Sequence, residues 1–257
     1  MLGAIAGDII GSVYEFDNTS DPAFPLFTEH SQFTDDTVLT LAIAEHLVTG
    51  KDLVDLFHEA VADHPACSWG RGFYRWAVGL VRLPYMSYGN GAAMRVSPVA
   101  WWANTERELL GLAEAVTTVT HDHPEGIRGA QATALAIWIG LNGGDKDDIR
   151  REVTAEYGYD LDTPLDAIRE TFVFDETCQG TVPPAIRCVL EADDYEHAIR
   201  NAVLLGGDSD TLAAIAGSIA EPLFGVPEAI AVPALDRLTP ELHAILVRFF
   251  ERAGERK

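Results

Sequence analysis

Two short acidic segments hold the densest reactive chemistry in the sequence. Thr34-Asp35-Asp36-Thr37 opens one alanine-rich apolar run, and Gly206-Gly207-Asp208-Ser209-Asp210-Thr211 opens another. Each reads first as a helix N-cap, where Thr or Asp accepts hydrogen bonds from free backbone N–H groups and offsets the helix dipole. One cap needs one oxygen, however, and two Asp beside Thr in each segment exceed that need. Crowded carboxylates repel unless something positive sits among them. Four carboxylates and two hydroxyls form an all-oxygen donor set, suited to Mg²⁺, Mn²⁺ or Ca²⁺ and not to zinc. Adjacent acids do not share a face of a regular helix, so such ligands belong where loop turns into helix. Gly206 and Gly207 suit that crowded approach. Six ligands from two segments fit two ions better than one.

Three further segments bear on a site. Glu15 follows Gly11-Ser12-Val13-Tyr14. A lone Glu is usually solvated, but the flanking Tyr14 and Phe16 suggest partial burial, a raised pKa and acid–base work. Ser87-Tyr88-Gly89-Asn90-Gly91 is first a turn; glycines at a helix start also expose N–H groups that can hold a phosphate. His121-Asp122-His123 has the spacing of a transition-metal pair, although a capping or packed histidine is commoner and the oxygen-rich clusters argue against zinc.

These residues need a scaffold, and its pattern is helical. Helix-period apolar positions run through 36–49, 53–62, 92–103, 106–119, 125–141, 164–173, 183–192, 195–205, 210–221 and 240–253. Thr34, Asp35, Thr105, Asp122, Asp162 and Thr239 stand at capping positions, with Pro124, Pro164 and Pro240 in first turns. The one strand candidate is Thr171 to Phe174. The expectation is an all-α fold in a single domain over residues 1–257, with a functional loop from Asp17 to Phe33 and a frayed tail from Glu251.

Composition narrows the function. Hydrophobic residues make up 47% and charged residues 23%, as in ordinary globular chains. The net charge is −22, from 40 acids and 18 bases. Such a surface repels phosphate backbones and anionic lipid, which argues against direct nucleic-acid binding and against a membrane partner. Three cysteines without CxxC imply a reduced, cytoplasmic chain. The apolar start lacks a basic region and is interrupted by Asp8, so it makes a poor signal peptide. Gly129 to Leu141 falls short of a membrane span and reads as a buried helix. Nothing in the sequence fixes the oligomeric state.

Taken in order, 7–15, 34–37, 87–96, 120–121 and 206–211 resemble the ADP-ribosylglycohydrolase family. The resemblance implies a compact all-α domain with a centre of two Mg²⁺, or Mn²⁺, held by Thr34, Asp35, Asp36, Asp208, Asp210 and Thr211. It implies that Ser87, Tyr88, Gly89, Asn90 and Gly91 line an ADP-ribose cleft near the diphosphate, and that His121 flanks the distal ribose. The expected substrate is an ADP-ribosylated protein or another ADP-ribose derivative, cleaved at C1″ through an oxocarbenium-like state. Glu15 or Asp36 then positions and deprotonates water. The rival readings are an inactive relative, an ADP-ribose-binding module and a two-metal phosphoester hydrolase.

Overall fold

The computed structural model describes residues 1–256. Among them run fifteen helices and no β-strand; Gly89 and Thr177 form an isolated bridge. In chain order they are α1 (Leu2–Gly11), α2 (Asp35–Thr49), α3 (Leu53–Asp63), α4 (Arg71–Ala77) and α5 (Gly91–Met94). Next come α6 (Ser97–Trp102), α7 (Glu106–Thr118), α8 (Pro124–Leu141), α9 (Lys146–Tyr157) and α10 (Leu165–Thr171). The chain closes with α11 (Cys178–Leu190), α12 (Tyr195–Leu205), α13 (Ser209–Phe224), α14 (Glu228–Leu235) and α15 (Pro240–Arg256). The all-α expectation holds. One core cluster extends from Met1 to Ala253. No described helix is long and apolar enough to cross a membrane.

The centre of the fold is α13, buried from Ser209 to Ala220 and packed against α1, α8, α11 and α12. Its closest partner is α1, and the reason is a glycine stripe. Gly3, Gly7 and Gly11 recur every four residues, one face of a helix. A Cβ at Gly7 would collide with the Ala213 carbonyl, and one at Gly11 would lie 2.5 Å from the Asp210 Cα. The missing side chains therefore let α1 lie directly on the start of α13. Helix α1 has nearly no polar face, because every residue from Gly3 to Gly11 is buried.

Several boundaries differ from the sequence pattern. The run 92–103 breaks into α5 and α6 because Pro98 has no N–H for the Met94 carbonyl and its ring crowds that turn. Helix α11 begins at Cys178, ahead of Pro183 and Pro184, because the Thr177 side chain caps it by accepting from the Gly180 N–H. Residues 172–174 follow α10 without joining a sheet; no second strand lies beside them, so the strand candidate at Thr171–Phe174 fails. The tail is not frayed up to Arg256. Its guanidinium lies 4.5 Å from the Trp102 ring and 2.9 Å from Glu108, which anchors the end of α15. Cys67, Cys178 and Cys188 are all free thiols.

Candidate active site

Helix starts and loops converge on one cleft of about 220 Å³. Glu15 enters from the loop after α1, Asp35 and Asp36 from the first turn of α2, and Asp208, Asp210 and Thr211 from the start of α13. The facing wall is the loop into α5, with Ser87, Gly89, Asn90 and Gly91, backed by His121.

The capping explanation covers only part of the acid. Thr34 caps α2, its side chain accepting from the Asp36 N–H at 3.3 Å. Asp208 occupies the N-cap of α13 but makes no side-chain cap bond. It accepts instead from the Asn90 side-chain amide at 2.7 Å, across the cleft. Glu15, Asp208 and Asp210 each bring one carboxylate oxygen within 4.8 Å of the others. Asp36 joins this group through the Thr211 hydroxyl, which donates to its Oδ2 at 3.4 Å, while Oδ1 is buried with no partner. Both acidic pairs sit where loop becomes helix, as the adjacency of the acids required. The glycines before Asp208 turn the chain with φ of 78° and 70°.

The electrostatics follow from this crowding. Burial, reinforced by neighbouring carboxylates, holds Asp35, Asp36 and Asp210 well above the usual Asp range. Burial and the charges of Asp208, Asp8 and Glu176 raise Glu15 to about 7. Glu15 is half-buried as expected, but not because both flanking rings cover it. Phe16 is 81% exposed, whereas Tyr14 packs edge-on against Phe24. The acid is instead held by Asn18, whose amide joins two loops. Its Oδ1 accepts from the Gly207 N–H at 2.8 Å, and its Nδ2 donates to the carbonyls of Tyr14, Glu15 and Gly207.

Some expected site residues stand apart from the cleft wall. Thr34 is buried with its hydroxyl donated to Asp8 at 2.7 Å. Tyr88 is 46% exposed and packs against the His123 ring. In the loop before α5, the Gly89 N–H goes to Ser87 Oγ within the turn, while the Asn90 N–H goes to the Glu176 carbonyl beside the Gly89–Thr177 bridge, so both are engaged within the chain. The two histidines of 121–123 diverge: His123 caps α8, and His121 is buried in the cleft.

Three supporting residues escaped the sequence reading. Asn18 is one. Arg95, on the turn after α5, is 1% exposed and backs the cleft. Asp8 is fully buried on α1 and gathers the start of α2. Its carboxylate accepts from the Thr34 and Thr37 N–H groups at 3.0 and 3.2 Å and from both hydroxyls, at 2.7 and 2.5 Å. Helix α1 thus fixes both acidic clusters, α13 by its glycines and α2 by Asp8. Asp8→Asn puts an amide where only donors converge. It should cost about 2–3 kcal/mol of stability, read as a lower denaturant midpoint at unchanged slope. A midpoint equal to wild type would show that Asp8 does not hold α2.

Comparison with known proteins gives the family and the fold. The family model for ADP-ribosylglycohydrolase matches residues 1–256. The chain belongs to that family. Human ADP-ribosylhydrolase ARH3 is 26% identical, over 89% of this chain and 85% of the relative. ADP-ribosylarginine hydrolase Tri1 of Pseudomonas putida (strain GB-1) is 25% identical, over 88% of this chain and 70% of the relative. A solved ADP-ribosylglycohydrolase-related protein complex superposes with a TM-score of 0.73 at 24% identity, over 98% of this chain and 97% of that one. It shares the fold of this family member.

Proposed function

We propose that this chain hydrolyses the glycosidic bond at C1″ of an ADP-ribosyl group attached to an acceptor, releasing ADP-ribose, and that the reaction depends on divalent metal. The observation that carries the reading is the convergence of Glu15, Asp208 and Asp210 within 4.8 Å, with Asp35, Asp36 and Thr211 in the same cleft. The relatives named as ADP-ribosyl hydrolases support the substrate class.

The residues fit a pair of hard cations. The donors are all oxygen, and Asp36 keeps one buried carboxylate oxygen unpartnered. Asp35, Asp36, Asp208, Asp210 and Thr211 would hold two Mg²⁺ or Mn²⁺, with the Thr34 hydroxyl near the start of the same helix. Bound there, divalent cations would supply Lewis-acid polarisation of sugar hydroxyls or of water. They would also offset the repulsion between an acidic protein and an anionic substrate.

Glu15 carries the proton in this reading. Its carboxyl is half-buried at the cleft beside Asp208 and Asp210 but stands outside the set of residues that would hold the cations, so it is free to take up a proton. As the water oxygen bonds to C1″, Glu15 takes the water proton. The C1″–acceptor bond breaks, its electron pair leaves with the acceptor atom, and that atom takes up a proton, which returns Glu15 to its carboxylate when Glu15 supplies it. Asn18 holds the Glu15 backbone against Gly207, so the acid keeps its place beside Asp208. The loop of Ser87, Gly89, Asn90 and Gly91 forms the opposite wall for the diphosphate, with His121 behind it.

The test is release of free ADP-ribose from arginine-, serine- and acetyl-linked substrates, with Mg²⁺ and with EDTA. Release from one linkage in Mg²⁺ and its loss in EDTA are expected. No release from any linkage by protein shown to bind Mg²⁺ would overturn the reading in favour of an inactive relative or a binding module. Phosphate release with the glycosidic bond intact would indicate a phosphoester hydrolase instead.

A further inference from the structure

We propose that Arg95, together with Thr120, is a positioning residue that locks His121 in its Nε2–H tautomer, making His121 a fixed hydrogen-bond donor to a ligand oxygen in the cleft. The argument begins with what a guanidinium can do. It has only donors. Arg95 Nη2 lies 2.6 Å from Thr120 Oγ1 and 3.3 Å from His121 Nδ1. Nδ1 must therefore accept. The Thr120 hydroxyl, already accepting from Arg95, directs its own proton to Nδ1 at 2.7 Å. Two donors facing Nδ1 leave the imidazole proton on Nε2.

The other side of the ring faces open chain. Nε2 lies beside Gly89 and Gly91: a Cβ built on Gly91 would be 3.3 Å from it and one on Gly89 3.6 Å. Among the described residues no protein group pairs with Nε2, and His121 lines the cleft. A Nδ1–H tautomer would present a lone pair there, which repels a phosphate oxygen and leaves a sugar hydroxyl able only to donate. The locked form presents a donor.

Arg95 is free to do this because no carboxylate claims it. Its charge rests over the Phe57 ring at 4.6 Å and the Phe73 ring at 5.7 Å, and among the described residues it forms no ion pair, in a chain with 40 acids. Around His121 stand the Tyr85 ring at 6.0 Å and, along the same cleft, the carboxylates of Glu15, Glu176, Asp35 and Asp208. Acids favour imidazolium. Burial and the adjacent Arg95 push the other way and hold His121 well below its usual range, so the donor stays neutral.

The ligand chemistry is an oxygen acceptor, either a sugar hydroxyl or a phosphate oxygen. Its assignment to ADP-ribose rests on the function proposed above. The experiment is NMR of the full chain carrying ¹⁵N-histidine, with titration of ADP-ribose and of ADP. Wild-type His121 should show the Nε2–H tautomer without titrating between about pH 5.5 and 8. Arg95→Met should give mixed tautomers and weaken ADP-ribose by about tenfold. Thr120→Val, a near-isosteric change, should also mix the tautomers if Arg95→Met does not fold. Arg95→Lys should partly restore both readouts. Weakening of ADP as well as ADP-ribose assigns the acceptor to the diphosphate; weakening of ADP-ribose alone assigns it to the distal ribose. A Nδ1–H tautomer in wild type, or weaker binding with the tautomer unchanged, would overturn the proposal. Wild type that binds neither ligand would sink the functional reading, while the spectra alone would still decide the tautomer.

Discussion

Asp36→Asn should cut turnover sharply and, in the same protein, raise the melting temperature measured without metal. The two effects share one cause. Asp36 is 3% exposed, its Oδ1 lacks a partner, and Asp8, Asp35, Asp208 and Glu15 all surround it with like charge. Without cations, an ionised Asp36 opposes folding. Asparagine removes the charge at nearly constant shape, for a gain of about 1 kcal/mol, or about 2–4 °C. With Mg²⁺ the order should reverse, because the wild type has the fuller ligand set and gains more from the ion. Turnover should fall by about 10²–10⁴. Glu15→Gln should lose turnover to a similar degree with a smaller stability change, since Glu15 is only half-buried. Melting curves in EDTA and in Mg²⁺, beside ADP-ribose release, read all of this. Near-wild-type turnover in both variants would refute the assignment of roles. A lower metal-free melting temperature in Asp36→Asn would show that the carboxylate is already held by the chain.

This opposition between folding and function explains the scaffold. Like charges at the ends of two helices drive those ends apart, and packing elsewhere must hold them together. The close seam between α1 and α13 does so through the glycine stripe, where each added methyl would strike backbone rather than a movable side chain. The four donors on Asp8 do the same for α2, and the Asn18 amide for the loop carrying Glu15. Rigid supports let the carboxylates stay crowded without spreading.

The acidic clusters were legible in the sequence because they held more oxygen than capping explains, and their place at helix starts followed from adjacent acids sharing no helical face. The amphipathic helices were legible for the usual reason of period. Helix α1 was not, because a helix buried on nearly every side carries little period, and its signal was the Gly3-Gly7-Gly11 spacing. Asp8 interrupted that apolar run, and a lone acid among apolar residues was its only trace. Helix α9 is polar, and its mark was the reciprocal capping of Asp145 and Asp148 rather than an apolar face. Arg95 stood out only as a cation inside Ala92-Ala93-Met94 and Val96. The Asn18 clamp had no local signal, since its partner Gly207 is distant in sequence and only the fold brings them together.

The second large effect is on pH. The stability of the metal-free protein should fall as pH rises from about 4 to about 7, and Mg²⁺ should remove most of that fall. Ordinary carboxyls in the unfolded chain lose their protons near pH 4. In the folded chain, burial raises Asp8 to about 6 and Glu15 to about 7, and it holds Asp35, Asp36 and Asp210 well above the usual range. Between the two values the folded state binds more protons than the unfolded state, so stability decreases with increasing pH. For Asp8 alone the shift corresponds to about 3 kcal/mol, fully lost only above its folded value. Cations bound among the carboxylates favour the ionised forms and reverse the sign, so the stabilisation by Mg²⁺ should grow from pH 5 to pH 7. Denaturant midpoints at several pH values, in EDTA and in Mg²⁺, measure the difference directly, and histidine titration cancels between the two series. If the two series ran parallel, the carboxylates would not be the cation site. If stability in EDTA rose with pH instead, buried donors would outweigh charge crowding, and the cluster would be a self-contained hydrogen-bonded network.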